Sequence, residues 1–98
     1  MGSASRVKPK KLAGKLLIIR EHFGYTGLQM AEKLGDDEIT VQRTDIPRFE
    51  KGIREPSLIV LLRYAKLVNV STDVLIDDKL ELPKKLPDYS QKTFHTGN

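Results

Sequence analysis

Three cationic side chains surround a short apolar pair near the middle of the chain. Ile46 and Phe49 are three residues apart, so both fall on one face of a short helix. Arg43, Arg48 and Lys51 flank this pair. A short helix with one apolar face and one cationic face suits insertion into a groove of a nucleic acid.

The residue types give little support for disulfides, a metal site or catalysis. The chain has no cysteine, which excludes disulfides and thiolate metal ligands, and its two histidines, His22 and His95, are far apart in the sequence. No nucleophile lies in a recognisable arrangement with a base, and the acidic pair Asp77–Asp78 is explained more simply by a helix end. We therefore predict no enzymatic activity, no cofactor and no metal site.

Length and charge are consistent with one small domain and an anionic partner. The 98 residues allow one modest core plus polar extensions. A net charge of +4 is compatible with nucleic acid but is common in proteins that never bind it. No apolar run approaches the roughly 20 residues of a membrane span, and no signal peptide is recognisable, so we expect no membrane association.

The cationic segment is preceded by a helix with clear boundary signals. Thr26 is a good N-cap, and Gln29 three residues later can complete a capping box. Gly35 is predicted to end the helix in the left-handed conformation. Residues 26–52 therefore predict a helix, a turn and a second short helix, and this unit is expected to contact the partner.

The turn between these two helices is expected to be a loop. It begins with an acidic run at 36–38 and continues with β-branched residues at 39–41, which are weak helix formers. Thr44 is the candidate N-cap of the second helix. Pro47 then becomes the third helical position, where no intrahelical donor is needed.

Three further helices follow from apolar periodicity. The first begins near Lys10, ends at Gly24, and has one face made of Leu12, Leu16, Ile19 and Phe23. A later helix is capped by Ser57, and its predicted buried stripe is Leu58, Leu61, Leu62 and Ala65. Asn69 can end that helix, and a last short helix starts at Ser71 or Thr72 and runs to about Ile76. The total is five helices in an all-α bundle.

The domain organisation follows from changes in composition. Residues 1–10 are predicted to be a tag remnant and a basic arm, which is either a frayed terminus or a segment that follows a phosphate backbone. Residues 11–77 form the helical domain. Residues 78–98 are predicted to be a flexible tail, although Leu80, Leu82 and Leu86 also permit an extended strap that packs back on the domain.

The motifs GYTGLQMAEKLG, IPRFEKG and REPSLIVLLRYAKLVNVSTDVLI resemble the lambda-repressor-like helix-turn-helix family of Cro and phage repressors, also called the XRE type. The resemblance covers about residues 12–76. It implies a five-helix DNA-binding bundle, so that 11–77 is a helix-turn-helix domain. The distance from Gly35 to Gly52 is about five residues longer than in most relatives, which implies an elongated turn.

The resemblance also implies which residues contact DNA. The third helix of the family lies in the major groove, and the base-reading positions fall here on Gln42, Arg43, Thr44 and Arg48. Lys51 and Arg54 match phosphate contacts. The helix start near Thr26 supplies a backbone N–H, whereas the family's glutamine position is Gly27 here, so that side-chain contact is absent.

A structural ion pair is a further implication of the resemblance. Family members often pair an arginine of the first helix with the glutamate before the turn glycine, and those positions are Arg20 and Glu50. The alternative is two unrelated surface charges. The acidic run at 36–38 would repel phosphates, so it is expected to point away from DNA or to bind a protein.

The predicted function is a sequence-specific DNA-binding transcriptional regulator in a bacterial or phage cytoplasm, with double-stranded DNA as partner. A homodimer on adjacent major grooves is expected, with a dimer surface on the last helix and the 80–86 segment. The alternative is a protein-interaction module on the same fold, such as an antitoxin or a bridging factor. Steep loss of duplex affinity with rising salt would favour the regulator.

Overall fold

The computed structural model describes residues 8–87, and these form five α-helices without a β-strand. The helices are α1 (Leu12–Phe23), α2 (Gly27–Leu34), α3 (Asp45–Glu50), α4 (Leu58–Leu67) and α5 (Thr72–Ile76). α1 packs against α3 and α5, α2 packs against α3 and α4, and α4 packs against α5. The predicted all-α, five-helix architecture is confirmed. None of the described helices has the length and apolar character needed to cross a membrane.

α1 buries the face that the periodicity predicted. Leu12, Leu16 and Ile19 are buried, and Phe23 packs partly against the same core. Gly24 ends the helix with φ +68°, a left-handed conformation that glycine adopts without a Cβ penalty. α3 packs against this buried face.

α2 begins as predicted and ends differently. Thr26 Oγ1 accepts from the Gln29 N–H at 3.1 Å, and the Thr26 N–H donates to Gln29 Oε1 at 2.9 Å, so the capping box is complete. The prediction of a left-handed Gly35 is wrong, because its φ is −96°. Glycine fits there because a Cβ would lie only 3.0 Å from the Ile39 carbonyl oxygen. Close backbone packing, and not a positive φ, makes glycine favourable at this position.

The elongated turn from 35 to 44 contains no helix, as predicted, and α3 starts after Thr44. Pro47 is the third helical position. The predicted side-chain cap is wrong, because Thr44 has a helical ψ of −16° and its hydroxyl makes no capping bond within the described chain. Instead, the carboxylate of Asp45, the first residue of α3, accepts from the Gln42 N–H at 3.1 Å. This hydrogen bond ties the end of the turn to the helix.

α4 is capped as predicted, but its buried stripe is rotated. Ser57 accepts from the Val60 N–H, which fixes the helix start. The buried residues are Val60, Leu61, Tyr64 and Ala65. Leu58 and Leu62 were predicted to be buried and are 77% and 39% exposed, so that part of the prediction is wrong. Residues 58–62 are all apolar, so periodicity cannot choose a buried face here, and the side on which α2 and α5 lie decides it.

The start of α1 and the end of α5 cap each other. Asp78 accepts from the backbone N–H groups of Lys10 and Lys11 at 2.9–3.1 Å. Lys15 on α1 is buried, and its ammonium group donates to the carbonyls of Val74, Asp77 and Leu80. Each helix therefore supplies the charged group that the other helix end needs.

The segment after Asp78 runs back along α1 as far as the structure describes it. Leu86 is buried, Leu82 packs against the core, and His22 Nε2 lies 2.6 Å from the Pro87 carbonyl oxygen. Of the two interpretations given for this segment, these contacts are those of an extended strap. The tag remnant, most of the basic arm and the rest of the tail lie in 1–7 and 88–98, outside the described residues.

Candidate nucleic-acid interface

An open groove separates the start of α2 from the start of α3. Its volume is about 540 Å3. It is lined by Arg20, Thr26, Gly27, Leu28, Arg43, Thr44, Ile46, Pro47 and Glu50. Eight positions match DNA-contacting positions of the family when Gly27 is counted, and four of them (Thr26, Gly27, Arg43 and Thr44) are thus brought to one concave surface. They come from segments that are 16 or more residues apart.

The α2 side of the groove offers backbone donors. The Thr26 N–H is engaged by Gln29, so the first-turn amides that remain for an anion are those of Gly27 and Leu28. A Cβ at Gly27 would lie 3.6 Å from the Arg43 carbonyl oxygen, an ordinary contact. The helix start is therefore close to the turn that carries the cationic side chains.

The α3 side of the groove presents exposed side chains over a buried base. Ile46 and Phe49 are buried against the bundle, whereas Arg43, Thr44 and Arg48 are exposed. Lys51 follows at the C-cap and is also exposed. The helix is thus held by its apolar face and leaves its cationic face open, as its residue pattern predicted.

Asp45 was not singled out from the sequence, yet it organises the turn before α3. One carboxylate oxygen accepts from the Gln42 N–H, and the other lies 3.3 Å from Arg54 Nη1. An acidic residue in the first turn of a helix was the available signal. Gln42 keeps an exposed side chain, and Arg54 is exposed but already paired.

Lys51 and Arg54 lie on the segment that folds back over the end of α3. The Arg48 carbonyl accepts from the N–H groups of Ile53 and Arg54, and Gly52 has φ +73°. Arg54 does not line the main groove and shares a smaller cavity with Lys8 and other residues near the start of α1. The eight predicted residues therefore divide into four groove-lining positions, two other exposed positions in the turn and on α3 (Gln42 and Arg48), and the two on this flanking segment.

Arg20 and Glu50 form a two-pronged ion pair at the base of the groove. Arg20 Nε lies 2.7 Å from Glu50 Oε2, and Nη2 lies 3.0 Å from Oε1. Arg20 Nη1 also donates to the Tyr25 carbonyl at 2.9 Å. The pair joins α1, the start of α2 and the end of α3, with the Glu50 side chain only 7% exposed and the Arg20 side chain 24% exposed.

No group of acidic, histidine or cysteine side chains within the described residues is arranged to hold a metal ion. The groove is instead bordered by the Arg43 guanidinium group and by backbone amides, since the Arg20 guanidinium group is engaged by Glu50 and the Tyr25 carbonyl. Such donors match the oxygen atoms of phosphates and of base edges in the major groove.

Five helices, with α2 and α3 on either side of an open cationic groove, define a helix-turn-helix protein. A family model described as helix-turn-helix matches residues 16–75, more than half of the chain, and the chain belongs to this family. The resemblance inferred from the sequence motifs is thereby confirmed.

Two similar proteins add detail. The HTH-type transcriptional regulator ImmR of Bacillus subtilis (strain 168) is 31% identical over 84 residues, which cover 86% of this chain and 62% of that protein. The chain therefore spans less than two thirds of that relative. The crystal structure of a transcriptional regulator from Listeria innocua is similar in fold, with a TM-score of 0.58 at 23% identity over 88% of this chain and 73% of that chain.

Proposed function

We propose that this chain is a sequence-specific DNA-binding transcriptional regulator that reads the major groove of double-stranded DNA with α3 and the turn before it. The observation that carries the proposal is the geometry of α3. Its apolar side is buried by Ile46 and Phe49, and its cationic side is exposed beside the start of α2. The description of the relative from Bacillus subtilis as a transcriptional regulator supports the same function.

Base readout is assigned to the exposed polar side chains around the start of α3. Arg43 and Arg48 each carry a guanidinium fork that matches the O6 and N7 atoms of guanine. Gln42 suits adenine or a phosphate, and Thr44 suits a thymine methyl group or a phosphate. These contacts would supply the sequence preference.

Phosphate contacts are assigned to the flanks. The first-turn amides of α2 at Gly27 and Leu28 can donate to one phosphate. Lys51 and Arg54 can neutralise others, and the exposed Arg54 would exchange its partner Asp45 for DNA. Lys8 shares a cavity with Arg54, so the basic arm would extend the same flank.

Regulation would be steric. A homodimer would occupy two half-sites about 34 Å apart and block or recruit polymerase, without catalysis and without a cofactor. Within the surface predicted for dimerisation, Ile76 and Leu80 are partly exposed, whereas Leu86 is buried in its own chain and is not available. Sedimentation of the free protein and of its complex with a palindromic duplex tests this proposal.

The chain would act in the cytoplasm of a bacterial or phage-infected cell, where such DNA lies.

The decisive experiment is selection of bound sequences from random duplex DNA, followed by titrations of the selected duplex. Arg43→Ala and Arg48→Ala are each expected to weaken binding about 10- to 100-fold and to relax the selected motif at one position, because each loses a bidentate base contact. Lys51→Ala should weaken binding evenly across sequences and reduce the salt slope by about 0.9. Lys66→Ala, which removes an exposed cation from α4, is the control.

An unchanged motif in both arginine variants would show that the base readers are assigned wrongly. Absence of duplex affinity even at low salt would instead contradict DNA binding. It would favour the alternative, a protein-interaction module.

A further inference from the structure

The elongated turn between α2 and α3 is attached to α4 by one arginine. Arg63 Nη1 donates to the Leu34 carbonyl at the end of α2, at 2.9 Å. Its Nη2 lies 2.9 Å from Asp36 Oδ2, at the start of the turn. The Arg63 side chain is 23% exposed, and the next residues on α4, Tyr64 and Ala65, are buried. The guanidinium group thus projects from a firmly packed helix.

Asp36 connects Arg63 to the backbone of the turn. Its other oxygen, Oδ1, accepts from the N–H groups of Glu38 and Ile39 at 2.8 and 3.0 Å, and its own N–H donates to the Ile39 carbonyl. The amides of Ile39 and Glu38, together with Arg63, hold the pKa of Asp36 below its ordinary value. Asp36 therefore differs from the other two acids of the run, because its carboxylate is built into the backbone of the turn.

The rest of the turn is ordered between this point and α3. Ile39 and Val41 pack partly against the core, and the Gln42 N–H is held by Asp45. The residues assigned to base readout, 42–44, follow directly. The turn is therefore held at its start by Arg63 and Asp36, in its middle by the packing of Ile39 and Val41, and at its end by Asp45, directly beside the base-readout residues.

We infer that Arg63 is a positioning residue for DNA recognition: it fixes the elongated turn so that the side chains of residues 42–44 reach base edges, and it does not contact DNA itself. The inference rests on the proposed function. Arg63 binds the end of α2, whereas the groove lies at its start. Eight helical residues separate those ends by about 12 Å at 1.5 Å per residue.

The test combines two measurements on the full chain, with Arg63→Gln and Asp36→Asn as variants and Lys66→Gln as the control from the same helix. Hydrogen exchange measures the turn without DNA. The amides of Ile39 and Gln42 are expected to exchange faster in both variants, while the core amides of α4 stay protected. Lys66→Gln should leave the turn amides unchanged.

DNA titrations at several salt concentrations measure recognition. Both variants are expected to bind the selected duplex about 3- to 30-fold more weakly, with a broader selected motif. The slope of log affinity against log salt should stay that of the parent, because no phosphate contact is lost. The double variant should be no weaker than the more affected single variant, since both substitutions break the same attachment. If Arg63→Gln does not fold, Asp36→Asn alone carries the comparison.

Three outcomes would overturn the inference. One is unchanged affinity and motif in variants whose turn amides exchange faster. Another is a loss of about 0.9 in the salt slope of Arg63→Gln, which would make Arg63 a phosphate contact. The third is unchanged exchange of the turn amides. A parent protein that binds no duplex would refute the proposed function instead, and the exchange result would still report whether Arg63 orders the turn.

Discussion

At the scale of single residues, the ion pair below the groove links recognition to stability. Glu50 is nearly buried and accepts two hydrogen bonds from Arg20, which also holds the Tyr25 carbonyl. Removing one charge would leave the other without its partner in a poorly solvated position. We therefore propose that this pair sets the angle between α1 and α3.

Glu50→Gln is expected to lower the free energy of unfolding by about 3 kcal/mol, because it leaves the Arg20 charge uncompensated. Thermal and urea unfolding measure this change. Glu32→Gln, at an exposed position of α2, is the matched control and should change it by less than about 0.5 kcal/mol. A Glu50→Gln melt that coincides with that of the parent would refute a stabilising role for the pair.

Tyr64 is a second residue whose contribution to the free energy of unfolding can be measured by a single substitution. Its side chain is fully buried, and its hydroxyl has no hydrogen-bond partner among residues 8–87. Burial raises the pKa of Tyr64 well above its ordinary value, and the nearby charge of Glu50 raises it further. The hydroxyl is therefore neutral at any physiological pH and contributes an uncompensated buried polar group.

Tyr64→Phe is expected to raise the free energy of unfolding by about 1 kcal/mol, because it removes the unpaired hydroxyl and keeps the packed ring. Chemical denaturation at pH 7 measures the change. Tyr25→Phe, at a partly exposed ring, serves as the control with little expected effect. Destabilisation by Tyr64→Phe would mean that the hydroxyl finds a partner in solution.

At the scale of helices, α1 and α5 depend on each other through charged caps. Asp78 accepts hydrogen bonds from the backbone at the start of α1, whose own N-cap position, Lys11, makes no side-chain capping bond. Lys15 donates to backbone carbonyls at the end of α5. The pKa of Asp78 is held below its ordinary value by the backbone amides of Lys10 and Lys11. Its ionised form therefore stabilises the folded chain.

Asp78→Asn is expected to lower the melting temperature at neutral pH, and the difference from the parent should depend on pH. A carboxylate whose pKa is lowered by folding stabilises fully above its unfolded pKa, near 3.8. That contribution is lost as the pH falls through the lower folded pKa. Parent and variant melts from pH 7 to pH 2 should therefore converge below about pH 4. A difference that persists at pH 2 would contradict this account.

At the scale of the whole molecule, the strap extends the folded unit beyond the last helix. Leu86 and Leu82 pack on the bundle, and Lys15 bonds the Leu80 carbonyl. The five helices are thus covered on one side of α1 by chain that contributes no secondary structure. We propose that the folded domain continues to about residue 87.

Leu86→Ala is expected to lower the free energy of unfolding by about 2 kcal/mol, because it removes buried apolar surface. Leu80→Ala, at a partly exposed position of the same strap, is the control and should change it by less than 1 kcal/mol. Both are measured by urea unfolding. Equal and small effects of the two substitutions would show that the strap does not pack on the domain in solution.

Local sequence signals determined most of the helix boundaries. The Thr26–Gln29 capping box, the Ser57 cap and the left-handed Gly24 depend on residues within one helical turn, so their types and spacing are sufficient. Pro47 likewise fixed the first turn of α3. The cationic and apolar faces of α3 followed from spacing, because a six-residue helix with two apolar residues has one way to pack.

Only the tertiary structure decided what depends on distant partners. Lys15 bonds to the Leu80 carbonyl 65 positions away, Asp78 accepts from the Lys10 N–H 68 positions away, and Arg63 lies 27 positions beyond Asp36. No local pattern predicts these contacts. Which apolar residues of α4 are buried also depends on the side from which α2 and α5 approach. Caps and periodicity act within a turn of helix, whereas the placement of the turn, the buried charges and the strap is set by contacts that exist only after the helices have packed.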